Sequence, residues 1–200
     1  GSLTVENCYV SGTIETADGT NKIESAGGLI GNVREYSNYS VNIKSCYADA
    51  EIKGTASSGF AGGLVGWTGG STTIDNSYAV VDMDVEAGNS IGGLVGCGND
   101  SKVKISHSYA AGEALTKNPI GASVAGISAN GSISSCVSIF PEMRSLNRIG
   151  GTTGSCRDNY GFAGTVARKS DFDPGSRYDG GRQAIWSGRN GGRPERSGIL

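Results

Sequence analysis

The sequence predicts an all-β protein, a parallel β-solenoid (β-helix) of about five to six coils with an irregular C-terminal cap. Three observations lead there. The pentapeptide Gly62-Gly63-Leu64-Val65-Gly66 recurs as Gly27-Gly28-Leu29-Ile30-Gly31 and as Gly92-Gly93-Leu94-Val95-Gly96, with worn copies at Ala122-Ser123-Val124-Ala125-Gly126 and Gly150-Gly151-Thr152-Thr153-Gly154. The copies begin 35, 30, 30 and 28 residues apart, and a near-constant period of this size marks stacked units. A second unit alternates with the first, and the residues after it alternate apolar and polar, the mark of a half-buried strand.

The second unit reads Val5-Glu6-Asn7-Cys8-Tyr9, Ile43-Lys44-Ser45-Cys46-Tyr47, Ile74-Asp75-Asn76-Ser77-Tyr78, Ile105-Ser106-His107-Ser108-Tyr109 and Ile133-Ser134-Ser135-Cys136-Val137, with a last trace at Asn159-Tyr160. After the Tyr, Ala79, Val81, Met83 and Val85 fall on one side and Val80, Asp82 and Asp84 on the other. The preceding coil gives Ala48, Ala50 and Ile52 against Asp49, Glu51 and Lys53, and the following one Ala110, Gly112 and Ala114 on the inner set. The Cys/Ser position shares that inner parity; the Ile four before the Tyr does not. Both face inward only if the chain bends between them, at Asn7, Ser45, Asn76, His107 and Ser135. Asn in particular tolerates left-handed backbone angles.

Strand, corner, longer strand, loop and Gly-rich strand make one turn. A single turn cannot bury its inner face, but the next turn stacked ~4.8 Å away can. Leu29, Leu64, Leu94 and Val124 should form one buried stack, and the Gly residues beside them permit close approach between layers. Segments 18–24, 36–41, 55–60, 68–72 and 98–102 are read as exposed loops from their Gly, Ser, Asn and Thr content. The repeat domain spans 1–164. Residues 165–200 carry no alternation, and Phe172, Tyr178, Ile185, Trp186, Ile199 and Leu200 are candidates to cover the last coil, since open solenoid ends need atypical caps.

Composition agrees. The chain has 34 Gly but only 4 Pro in 200 residues, without a collagen period and with too regular an apolar pattern for disorder. Residues 1–143 carry 7 basic and 14 acidic side chains, residues 144–200 carry 10 and 5. Neither part joins a basic field to a recognition motif, which argues against nucleic acid as a partner. No apolar run approaches the length of a membrane span. The five Cys are odd in number and form no CxxC pair. Cys8, Cys46 and Cys136 occupy one repeat column with Ser77 and Ser108. Stacked side chains stand too far apart for a relaxed disulfide, so free, mostly buried thiols are expected.

Gly-Gly-Leu-Val-Gly alternating with Asn-Ser-Tyr-Ala resembles the GLUG motif repeat. The motif residues are those at 27–31, 62–66 and 92–96, with Asn76, Ser77, Tyr78 and Ala79 the cleanest partner. The ending, Ile185-Trp186 followed by Gly192-Arg193-Pro194, is similar to the closure after such arrays. The resemblance implies a bacterial cell-surface or secreted protein, as in adhesin-like chains and immunoglobulin A-cleaving metalloproteases. Their protease chemistry belongs to a separate zinc domain, and no His-Glu-x-x-His occurs here.

No catalytic residue is assigned. With His107 alone, neither a His-based triad nor a His₂ zinc site can be built, and His107 is read as a corner residue. The pentapeptide at 92–96 lacks the following helix and Lys-Ser/Thr pair of a phosphate loop. Two outward columns remain. Tyr9, Tyr47, Tyr78 and Tyr109, with Tyr160 beyond, either present rings to sugars or stabilise strand pairing. Glu51, Asp82 and Glu113 form either a solvated acidic face or a site for Ca²⁺ as a cofactor. Paired carboxylates also serve polysaccharide cleavage, but no Lys or Arg stands in register as a lyase base. The expected role is therefore a non-enzymatic adhesion or spacer module, with an extracellular protein or glycan as partner. The alternative is a carbohydrate-binding or polysaccharide-active β-helix protein.

Overall fold

The chain winds into a parallel β-solenoid. The computed structural model describes residues 1–15, 24–33, 39–56, 59–87, 90–99, 101–116, 123–128, 130–143, 149–150, 156–162, 166–167 and 184–186. Four sheets run along the stack as its faces. The first has six strands, Ser2–Glu6, Ser40–Lys44, Ser71–Asp75, Val103–Ser106, Ser132–Ser134 and Cys156–Arg157. The second is the widest. It carries Tyr9–Glu15, Tyr47–Ala56 and Tyr78–Ala87, then shorter paired segments from Tyr109–Ala111 onward. The third is built from Ser25–Gly27, Phe60–Gly62, Ser90–Gly92 and Ser123–Ala125, the fourth from Ile30–Val33, Val65–Thr68 and Val95–Gly98. Six rungs on the first face span about 24 Å at the usual strand spacing.

Register follows the repeat. Val5, Ile43, Ile74, Ile105 and Ile133 are successive partners, and Cys156 continues their column. Ile43, Ile74, Ile105 and Ile133 are buried, and so are Cys46, Ser77, Ser108 and Cys136 three residues later. The required bend lies between them. Asn7, Ser45, Asn76, His107 and Ser135 all have φ between 47° and 54°. Asp158 is a sixth member at 56°. On the second face Ala48, Ala50, Ile52, Ala79, Val81, Met83 and Val85 are buried as the alternation requires.

The two repeat units meet across the interior. A Cβ on Gly63 would lie 2.5 Å from the Cβ of Ala79 and collide with the Gly93 carbonyl oxygen. The same relation joins Gly28 to Ala48 and Gly93 to Ala110, at 2.7 and 2.6 Å. The second Gly of the pentapeptide and the Ala after Tyr are thus one constraint, a pinch where opposite walls touch. Leu64 and Leu94 fill the space beside it, both fully buried, while Leu29 on the end coil is half-buried.

Three expectations are corrected. Val124 does not continue the Leu column: it pairs with Ile91, and Ala125 pairs with Gly92. Leu94 N–H instead donates to Ile127 O, and Ile127 N–H to Ile149 O. The column is therefore Leu29, Leu64, Leu94, Ile127 and Ile149, and the fourth copy starts three residues later than its sequence match. The fifth copy is out of phase the other way: Gly150, its first residue by sequence match, lies beside Ser128, itself the partner of Val95, and so at the fourth position. Second, Val80 pairs with Ala111 but Met83 pairs with Leu115, so one extra residue is accommodated at Gly112-Glu113. This bulge makes buried Leu115, rather than Ala114, the partner of Met83. Third, 68–72 is not an exposed loop. Thr68 and Thr72 are fully buried with their hydroxyls 2.6 Å apart, around a Gly69-Gly70 corner. Beyond 164, Val166–Ala167 pairs with Glu142–Met143, and Ala184–Trp186 pairs with Tyr160–Phe162. Ile185 and Trp186 therefore lie in an added strand; Phe172, Tyr178, Ile199 and Leu200 lie outside the described residues.

Candidate functional site

The second face positions the outward columns. Parallel pairing puts Tyr9, Tyr47, Tyr78 and Tyr109 at one register position. Their rings stack in series, with centroids 4.0, 4.8 and 4.6 Å apart and interplanar angles of 25°, 13° and 5°. That geometry uses ring faces for one another. Tyr47 and Tyr78, each between two rings, present edges and hydroxyls to solvent. Burial, with its neighbouring rings and Asp49, raises the Tyr47 phenol above its ordinary value; burial followed by Tyr78 raises Tyr109. The next rung carries Val137 in the column, and the one after carries Tyr160.

The acidic column is only partly assembled. Glu51 and Asp82 are register partners, with Thr13 beyond Glu51. The Glu51 carboxylate pairs with Lys53 Nζ at 2.6 Å. Asp82 Oδ1 accepts the backbone N–H of Glu113, which closes the bulge. Glu113 sits in that bulge, so its carboxylate is not the next member of a regular column.

Beside the Tyr column runs the left-handed corner. Asp75 Oδ1 accepts the Ser106 hydroxyl at 2.7 Å and meets His107 Nδ1 at 2.8 Å. His107, then Ser106, holds the Asp75 carboxyl below its ordinary range. Asn76 Nδ2 donates to Ser45 Oγ at 3.2 Å. The corner side chains of Asn76 and His107 thus each reach one rung back. A shallow open depression of about 240 Å³ lies at the first two corners, lined by Glu6, Asn7, Lys44 and Ser45.

The inward Cys/Ser column does more than pack. Cys46 N–H donates to Ser77 Oγ and Ser77 N–H to Ser108 Oγ, both at 3.1 Å. Cys136 N–H donates to Asn159 Oδ1 at 2.9 Å. The same side chains donate to the carbonyl two residues back, Ser77 to Asp75 O at 2.9 Å and Ser108 to Ser106 O at 2.6 Å. Cys46 and Cys136 make the longer thiol version. A residue here must be small, accept one bond and donate another, which Ser and Cys both do. The sequence signal is the restriction of this column to Ser and Cys from Cys8 to Cys136, which small size alone also explains. All five thiols are free, with Cys46, Cys136 and Cys156 buried and Cys8 exposed. Burial pushes the Cys136 thiol up to about 11.

No family model, curated protein or solved structure matches this chain. The architecture places it among parallel β-solenoids. Among the described residues no helix is long and apolar enough to cross a membrane, and no group of three or more His, Cys, Asp or Glu side chains is placed to hold a metal ion.

Proposed function

We propose that this chain is a non-enzymatic, GLUG-type repeat module of an exported bacterial protein, displayed on the cell surface or secreted, where it serves adhesion or spacing. The observation that carries this reading is how its chemically capable side chains are used. Tyr faces stack on Tyr faces, Asp75 holds His107 and Ser106, Asp82 caps the bulge, and Glu51 holds Lys53. These contacts link or brace rungs and stiffen a rod, which suits a protein that projects from a surface. Antibodies raised against the chain should label intact producing cells or their medium. Labelling only after permeabilisation would overturn the reading. Arrays of matrix proteins and glycans then separate adhesion from spacing, since a spacer binds neither.

A second reading, carbohydrate binding, is favoured by the break of the Tyr column at Val137. Polysaccharide cleavage by the acidic residues is tested separately. If turnover is found, replacing Glu51, Asp82 and Glu113 by Ala must abolish it, or those residues do not carry it.

A further inference from the structure

From the break in the tyrosine column we infer that Tyr109, Val137 and Tyr160 form a binding slot for one neutral hexopyranose ring. The site gives the adhesive reading a ligand class and rests on it.

Three features converge. Tyr109 stacks on Tyr78 through one face, which turns its other face toward the Val137 rung. Tyr160 stands two rungs from Tyr109 at the same register position. Val137, half-buried, floors the gap between them. Both Tyr side chains remain over a third exposed, at 37 % and 38 %.

Size selects the occupant. Two rungs span ~9.6 Å. A flat aromatic ring filling a gap between two rings needs only about 7 Å, twice a carbon contact. A puckered saturated ring, with axial hydrogens on both sides, takes up the extra space. Its C–H faces match aromatic walls, and its rim of hydroxyls needs polar partners. Those partners lie two residues before the column. His107, Ser135 and Asp158 are successive exposed corner residues, held outward by left-handed backbone angles of 47°, 54° and 56°. On the other flank Ile139, 40 % exposed, extends the apolar floor. Elsewhere in the ladder, from Tyr9 to Tyr109, each rung carries its ring and no such gap exists.

The test is titration of the full chain with the methyl pyranosides of glucose, galactose and mannose, followed by calorimetry and ligand-observed NMR. At least one should saturate with a Kd of about 1 mM, the range of a single-ring contact. Val137→Tyr supplies the repeat's own residue and closes the slot. It should weaken binding at least about tenfold while the Tm stays level or rises. Tyr160→Ser removes one wall and should weaken binding similarly, which keeps the test decisive if Val137→Tyr misfolds. No saturation by any of the three sugars, or wild-type affinity in the folded variants, overturns the slot. Cell-surface labelling is independent of both variants, so the slot can fail while the surface reading stands.

Discussion

At the corner, one side chain has two duties. The Ser77 hydroxyl accepts Cys46 N–H and donates to Asp75 O. Removing it strands a buried backbone donor and leaves a carbonyl short of a partner. An unsatisfied buried group costs about 1–3 kcal/mol, so Ser77→Ala should lose about that much in urea unfolding. Ser77→Cys should recover most of it, because Cys46 already makes the same pair of contacts in sulfur form and Cys136 makes the donated one. If Ala and Cys variants are equally destabilised, the column is packing alone. The left-handed residue just before it was legible in the sequence, because Ile and Ser/Cys share an inward face only around a bend. The hydrogen-bond duty was not: Ser alternating with Cys satisfies a size rule and a donor–acceptor rule equally well.

Between elements, the pinch decides which glycines matter. Gly63→Ala puts a methyl group against the Gly93 carbonyl and the Ala79 Cβ, both on packed backbone or core. Overpacking of this kind costs about 1–3 kcal/mol, and the Tm should fall accordingly. Gly31→Ala meets only Ser25 O, at 3.1 Å, and should cost less than about 1 kcal/mol on the same scale. Equal losses would mean that the pentapeptide glycines serve backbone freedom and not wall contact. This is also why the last Gly of the fourth copy gives the wrong phase. Matching its last Gly aligned Gly126 with Gly96, whereas the constraint sits on the second Gly and aligns Gly126 with Gly93. Ala110, Gly112 and Ala114 are small enough to fit the inner set without a bulge, and its one sequence signal is Leu115, a large apolar residue that plain alternation would turn outward yet is buried opposite Met83. That bulge bears on Ca²⁺ as well. A cation would have to compete with Lys53 for Glu51 and with Glu113 N–H for Asp82. Excess chelator should leave the Tm unchanged; a fall of several degrees would show that a bound cation contributes to the fold.

Across the whole stack, coils touch only their neighbours, so stability is a sum of rungs and the interfaces between them. The Tyr ladder crosses three such interfaces. Tyr78 stacks on both sides, at 4.8 and 4.6 Å, whereas Tyr9 stacks on one. With each aromatic pair worth about 0.5–1.5 kcal/mol, Tyr78→Ala should cost about twice what Tyr9→Ala does. Alkaline titration gives an independent reading of the same ladder. The Tyr47 and Tyr109 phenols are raised in the folded chain, chiefly by burial. A raised acid favours the folded state below its unfolded pKa, and that contribution disappears as pH rises through the folded value. The phenolate absorbance of these two rings should therefore appear late, above about pH 10, and in step with loss of β-sheet signal. In Tyr78→Ala, which removes a neighbour from both Tyr47 and Tyr109, phenolate should appear at lower pH. An unchanged titration in that variant would show that the rings ionise independently, and the ladder would then be a consequence of strand register with no coupling of its own between coils.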